Sequence, residues 1–555
     1  MRFAGFTLAL AGIFAGNALG QAPTVGGLLN NYSNTLPGLP NYGIAEGSIF
    51  VIYGTNFSST NVSATLPLQS TLNGVTINVT VNGTTTHPLF YYLFPTQIAA
   101  VLPSATPVGT GTITVTTSAG TSAAFPIQVV ASAFGLLTSN NGSGPAQGYD
   151  ASIDASNQYI LFGLSEAANP GDILELWGTG LGPTPGDATG VSVTPKAQVY
   201  IGSIAADVQY AGRSGYTGLD QINVVVPAGV SGCYVSVVVQ TGNYVSNFGT
   251  LAVAASGSRT CYDANSPITT SILNEIAQTG TFSLGVVSLD ETTTQAEIVD
   301  GITVSPGGTT DRGSASFLKI TYDQLKSGAY TTASLGSCVV NFYSASATSQ
   351  TPPTVFQFTF LNAGLDVNIN GPDGAIAMPL QTQTVNGTTY LSYTTPSSDT
   401  SFIPASGGSF TFNNGTGGPD VGAFTASLQL ASPLVWSNMS SISTVTRSNG
   451  LTVNWTGGDP GSYVGIAGLS LGSVGGSATD FVVGSFTCEA PASAETFTVP
   501  PAVLLELPSS ASIAGLSFST LSVSNTSAPV TFTATGLTLG LVLARVENTI
   551  TVTYQ

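Results

Sequence analysis

The sequence predicts an all-β protein, a series of sandwiches built from short strands, and three observations predict it. The first is composition: 6% of the 555 residues are charged and 42% are hydrophobic, with the polar share falling to Ser, Thr, Asn, Gln and Gly. Short strands need β-branched residues, and the turns between them need Gly, Pro, Asn and Asp. The second is alternation, as in Thr112-Ile113-Thr114-Val115-Thr116, which marks a half-buried strand. The third is that such runs recur along the chain between glycine-containing breaks. With 66 Gly and 31 Pro, the two together stay below the roughly 25–30% that signals disorder, so the chain reads as folded.

The first twenty residues, MRFAGFTLALAGIFAGNALG, place Arg2 before an apolar stretch, Phe3 to Phe14, and end in Ala18-Leu19-Gly20. That is the build of an export signal peptide, residues 1–20, cleaved after Gly20, and the apolar run is short of the ~20 residues a membrane span needs. Every later hydrophobic run is interrupted by Gly, Ser or Thr, so no membrane span is expected in the mature chain. A net charge of −18 with only 9 Lys+Arg leaves no basic patch for a phosphate backbone, which removes nucleic acid as a partner. Cys233, Cys261, Cys338 and Cys488 are an even set in an exported chain, where disulfides are the default. Three connectivities are open, and proximity favours Cys233–Cys261, leaving Cys338–Cys488. A zinc site is not expected, since there is no C-x-x-C and the lone histidine is His87.

The strands come in two matching series. EGSIFVIYGTNF (Glu46–Phe57) aligns with PGDILELWGTGL (Pro170–Leu181), and TQIAAVLP (Thr96–Pro103) with DQINVVVP (Asp220–Pro227), all at an offset of 124 positions. Two motifs about fifty residues apart that share one offset mean a duplicated domain. The period is far above the 20–50 residues of solenoid repeats, so each copy is expected to hold its own core. The first copy, residues 26–134, gives SIFVIYG, VTINVTVNG, QIAAVLP, GTITVTTSAG and AFPIQVVA. The second, residues 135–256, gives DILELWG, AQVYIG, QINVVVP, CYVSVVVQTG and GTLAVAA. Short strands at this spacing predict sandwiches of the immunoglobulin type.

GSIFVIYGTNF, VTVNG, IAAVLP and TITVTTSAGTS resemble the signature strands of IPT/TIG immunoglobulin-like domains. The tandem form is similar to a module of secreted acidobacterial (Solibacter-type) proteins, with Tyr210–Pro227 close to its Gln-Ile-Asn-x-x-x-Pro pattern. The resemblance covers about Gly26–Ala255. It implies an immunoglobulin-like sandwich in an exported protein and no catalytic residues. The first copy departs from it at Ala99, where the second has Asn223; if that Asn pins a local turn, the first copy must satisfy it differently.

The remainder shows no echo of these motifs but stays strand-rich, with SFLKITY, CVVNFY, TVFQFTFL, LDVNING, GSFTFNNG, AFTASLQL, LTVNWTGG, FVVGSFTCEA, SFSTLSVS, VTFTATGLTLG and TITVTYQ. It is expected to be a β-sandwich C-terminal half, divided into 265–420 and 421–555 at the loop NNGTGGPD or forming one unit across it. GLTVNWT (Gly450–Thr456) resembles the aromatic strand of fibronectin-like sandwiches. Two short helices are expected, at Thr269–Gln278 and Pro501–Leu507.

Several stretches imitate chemical sites. WGTGLG after an apolar strand looks like a dinucleotide cradle, but its third glycine is one place early, Pro183 and Pro185 follow, and the first copy has YGTNFSST instead. A strand-end turn accounts for it, with Trp177 buried and Gly178 serving backbone geometry, so no cofactor is expected. Asp366-Val367-Asn368-Ile369-Asn370-Gly371 begins like a calcium loop, yet position twelve is Ala377 where a bidentate Glu is needed; a strand and hairpin turn are expected. His87 has no G-x-S-x-G elbow to accompany it. The best hint of a binding surface is LFYYLF (Leu89–Phe94), where alternation puts Phe90 and Tyr92 on one face and Tyr91 and Leu93 on the other. The expected function is therefore non-catalytic: interaction, adhesion or scaffolding outside the cell or on its surface, with an unknown protein or polysaccharide as partner. The alternatives are a carbohydrate-binding protein using Tyr91, Tyr92 or a Trp, and a hydrolase sited in the C-terminal half.

Overall fold

The computed structural model describes residues 21–152, 163–194, 196–263, 265–299, 302–326, 333–344, 358–385, 388–397, 401–430, 434–459, 461–474, 477, 480–513 and 516–555. Residues 1–20, expected from the sequence to be an export signal, and residues 354–357 of TVFQFTFL lie outside them. The protein is all-β, opening with two immunoglobulin-like sandwiches in tandem. Its α-helices among the described residues are short: Thr270–Thr279, Tyr322–Lys326 and Pro501–Glu506. Thr269 caps the first by accepting from Ile272 N, and Gly280 ends it in the left-handed region at φ 72°, the usual polar start and glycine stop. The second follows a long strand directly and had no sequence signal.

In the first sandwich, one sheet runs Thr24–Asn30, Ile49–Thr55, Gln97–Val101, Leu89–Leu93 and Val62–Ser63 in spatial order. The other is built around Phe125–Val130, Gly109–Thr117 and Val75–Val81. Phe50, Ile52, Ile98 and Ala100 from the first sheet meet Ile77, Val79, Ile113 and Val115 from the second. The strict alternation of VTINVTV is reproduced as buried and half-buried residues in turn, so that pattern alone aimed the strand.

The second sandwich repeats these positions. Ile44 pairs in parallel with Val129 in the first copy, and Ala168 with Val253 in the second, each 124 positions on. Here, however, Ile204–Arg213 pairs with both Asp220–Val225 and Gln198–Ile201, joining the layers into one nine-stranded sheet. Gly232–Thr241 is buried along nearly its whole length. Val235, Val237 and Val239 enter the sandwich core, whereas Val238 and Phe248 pack against the C-terminal half.

Strands from both 265–420 and 421–555 share a single 14-stranded sheet. At its centre Leu539–Thr551 lies parallel to Thr281–Thr294 over eleven facing pairs, and Thr281–Thr294 is in turn antiparallel to Gly308–Thr321. The NNGTGGPD loop joins Gly408–Asn413 to Thr425–Leu430, two strands that pair with one another. Asp366–Gly371 forms a hairpin with Gly374–Val385 across Pro372-Asp373, so the calcium-like stretch is strand and turn. Trp436 and Trp455 are buried in the C-terminal core, and Trp455 Nε1 donates to Ala492 O at 2.7 Å. The disulfides are Cys233–Cys261 and Cys338–Cys488, the second cross-linking directly opposed strand residues.

Candidate functional site

The glycine-rich loop at the end of Ile173–Thr179 does hold an anion, and the chain supplies it. Gly180 N and Leu181 N donate to Asp220 Oδ2 at 2.7 and 2.8 Å, while Arg213 Nε donates to Asp220 Oδ1 at 2.7 Å. Arg213 and Asp220 are fully buried. Burial pushes the Asp220 carboxyl up, while Arg213 and the two amide donors pull against it. Gly180 sits at φ 100°, a conformation glycine adopts without strain. Gly178 is different. Its backbone is ordinary, but a Cβ there would run into the Phe134 ring and the Gly135 carbonyl; at Gly54 it would meet Phe57 and the Thr24 carbonyl. Close approach, rather than backbone geometry, therefore explains this glycine in both copies. Trp177 is half-buried on the outer face, not in the core as expected.

LFYYLF does not alternate. A bulge between Phe90 and Tyr92 lets both Phe90 and Leu93 enter the core and leaves Tyr91 and Tyr92 half-buried outside it. The extra residue of a bulge resets the pleat, which breaks the period-2 rule locally. Tyr91 turns into the seam between the sandwiches, its hydroxyl donating to Thr217 O at 2.5 Å. The same seam carries Asn30, whose Nδ2 donates to Ala133 O and Thr179 O at 3.0 and 3.2 Å. It also carries Thr179, which accepts from Ile49 N at 2.8 Å. Tyr92 stays on the open part of the sheet, stacked on Phe94 with ring centroids 4.5 Å apart, and accepts from Gln97 Nε2 at 2.8 Å. Burial pushes its hydroxyl up to about 12.

These contacts outline a repeated feature. Tyr53 faces Gln97 across neighbouring strands, and Trp177 faces Gln221 in the same way, 124 positions on. All four are half-buried. Around the first pair stand Tyr92 and Phe94; around the second, Tyr149 lies 6.4 Å from Trp177 and donates its hydroxyl to Glu175. Gln221 Nε2 donates to Asn223 Oδ1 at 2.9 Å, so Asn223 orients a strand neighbour instead of pinning a turn. An aromatic ring flanked by a carboxamide offers an apolar face beside hydrogen-bonding groups.

Several other polar groups are engaged in structure. His87 Nδ1 lies 2.9 Å from Asn78 Oδ1 on the surface. Arg259 Nη1 donates to Asp150 Oδ2 and Asp172 Oδ2 at 3.0 and 2.8 Å. Asn41 joins three parts of the chain, accepting from Val245 N at 3.1 Å and donating to Glu506 Oε1 at 3.0 Å. Burial lifts Glu506 well above the usual carboxylate range. Neither Asn41 nor the Arg213–Asp220 pair was singled out from sequence. The pair did leave a signal, since two opposite charges bracket SGYTGL in a chain with so few.

No helix among the described residues is long and apolar enough to cross a membrane. No family model and no curated protein matches the chain. Among solved structures, it is similar to SGBP-B of a Bacteroides ovatus mixed-linkage glucan utilization locus, solved with a mixed-linkage heptasaccharide. That alignment has 11% identity and a TM-score of 0.21 over 52% of this chain and 71% of the other. It is also similar to domains 4–9 of the surface layer protein SbsC, with 10% identity and a TM-score of 0.15 over 93% and 83%. SGBP-B from a complex xyloglucan utilization locus in Bacteroides uniformis aligns with 10% identity and a TM-score of 0.15 over 85% and 87%.

Proposed function

We propose that the chain is an exported, non-catalytic interaction protein that acts at or beyond the cell surface as a scaffold of fixed geometry. The observation that carries this reading is the build of its seams. Asn30, Tyr91 and Thr179 join the first two sandwiches, and Asn41 ties both to the C-terminal half. Units that only need tethering are joined by exposed polar linkers; buried, directional hydrogen bonds set spacing and angle. The low charge, the two disulfides and the resemblance to IPT/TIG-like modules of secreted acidobacterial proteins support export. The partner class is a surface protein or polysaccharide. The test is expression with residues 1–20 in place, proteinase K shaving of intact cells, and retention of envelope material on the immobilised protein. Protection from the protease, or release of reducing ends from polysaccharides by the purified chain, overturns the reading.

A second reading, carbohydrate binding on the outer sheet faces, is favoured by the matched Tyr53–Gln97 and Trp177–Gln221 pairs. Retention on insoluble polysaccharides that disappears in Tyr53→Ala/Trp177→Ala supports it; retention unchanged by the double substitution removes it.

A further inference from the structure

We infer that the seam between the second sandwich and the C-terminal half contains a binding site for a neutral saccharide unit, separate from the faces that carry the Tyr53–Gln97 and Trp177–Gln221 pairs. Its floor is the outer side of two neighbouring strands, where Gln198 faces Gln240 and Tyr200 faces Val238. The alternate residues, Val199, Ile201, Val237 and Val239, point the other way into the sandwich core. Its wall is the segment Pro500–Val503 together with Gly336 and Cys338, and the bond from Cys338 to Cys488 ties that wall to the long C-terminal sheet. The seam is stitched shut on two sides of this place. Ser337 Oγ accepts from Ser236 N at 2.9 Å, and Asn41 links Val245 to Glu506. Between the stitches the surfaces part, enclosing a cavity of about 430 Å³. That volume falls within the roughly 300–1,000 Å³ typical of ligand sites.

The lining sets the ligand class. Every residue that lines the cavity is uncharged, in a chain whose net charge is −18. A charged ligand would lose its hydration without meeting a counter-ion. What the cavity offers is two aromatic rings, Tyr200 and Phe248, with apolar Val238 and Pro501, two carboxamides and the Ser203 hydroxyl. The Tyr200 hydroxyl donates to Gln198 Oε1 at 3.2 Å, which ties ring and amide together. A pyranose has the complementary build, with an apolar C–H face for the ring and a rim of hydroxyls that donate to and accept from carboxamides. The site stands whether or not the outer sheet faces bind polysaccharide.

The test is calorimetric titration of the full chain with cellohexaose, xylohexaose and chitohexaose, and with a charged oligogalacturonate. The inference expects saturable binding of at least one neutral oligomer. Tyr200→Ala and Gln198→Trp, the latter adding bulk at an exposed lining position, should weaken that binding by at least about tenfold. All titrations are run in the Tyr53→Ala/Trp177→Ala background, so that saccharide held on the outer faces does not contribute to the signal. Thermal unfolding checks that each variant folds, and Gln240→Leu replaces any that does not. Three results overturn the inference: no neutral oligomer binding at about 1 mM, binding that survives the cavity variants, or preference for the charged oligomer.

Discussion

In the first sandwich Pro88 separates Thr84–Thr86 from Leu89–Leu93; in the second, Gly212 stands at the matching position and Ile204–Arg213 runs through. Proline cannot donate to a ladder, so it ends the pairing in one copy. Gly212 continues it, and lets the Val191–Ser192 backbone pass where a Cβ would stand. One copy is thus two separate sheets and the other a continuous one. The continuous strand carries Arg213 to the glycine loop, where the first copy has Leu89, and Asp220 meets it where the first copy has Thr96. Duplication kept the strand order and the close-approach glycines. Single residues then decided how each copy is closed and which of its faces stays open.

The largest test of that contrast is Asp220→Ala. It leaves Arg213 buried without its partner and is expected to cost about 3–5 kcal/mol in urea unfolding. Giving the second copy the residues of the first, Arg213→Leu with Asp220→Thr, should cost less than the single change. A double variant as damaged as the single would break the comparison. Next in size, Gly54→Ala and Gly178→Ala should each cost about 1–3 kcal/mol by overpacking against a ring and a carbonyl. If only one does, the two glycines are not equivalent. Tyr91→Phe removes the hydroxyl shared across the seam and should cost about 1 kcal/mol. It should also speed amide exchange in residues 213–220 without altering the first copy's core, and unchanged exchange there would show that this bond does not hold the seam.

The smallest effect is the share of the pH slope that Asp150 of the second copy contributes. Burial lifts Asp150 to about 6, with the hydrogen bond to Asp172 adding to the rise from 3.8. The folded chain therefore keeps a proton that the unfolded chain releases. The stability this contributes is complete below about 3.8 and is lost as pH rises through about 6. Burial pushes Asp172 up, but its hydrogen bonds, including that from Arg259, hold it lower overall. Its contribution is therefore lost only as pH falls, outside this window. Tm should decline between these two values, and Asp150→Asn should flatten that part of the profile. The first copy has Gly26 at the matching position. Burial of Glu489 and Glu506 adds a slope of the same sign that Asp150→Asn leaves in place. The reading is therefore the difference between variant and parent, and identical profiles would show that Asp150 contributes nothing.

Much of the architecture was legible because it rests on period-2 burial and turn residues. VTINVTV, the Asp366–Gly371 hairpin and the helix expected at Thr269–Gln278, found at Thr270–Thr279, each follow from a few adjacent side chains. What escaped depends on residues far apart in sequence. The bulge in LFYYLF forms against Ala99 and Ala100 of a neighbouring strand, and half-buried Trp177 lies beside Tyr149. The fate of Tyr91 is set by a loop 126 positions away. Of the candidate surface, the residue types were visible. Which tyrosine faced solvent and which faced a neighbouring sandwich was not, because alternation sees one sheet at a time.

The central strand pair of the C-terminal half has a mechanical consequence. Leu539–Thr551 and Thr281–Thr294 run in the same direction along eleven facing residues. Tension applied between their opposite ends loads the ladder lengthwise, so its rungs must fail together rather than peel one after another. A protein anchored by one end and pulled by a partner at the other would find this pair its strongest element. Under a steady pull the sandwiches should open before it does, in steps a force-extension trace would count.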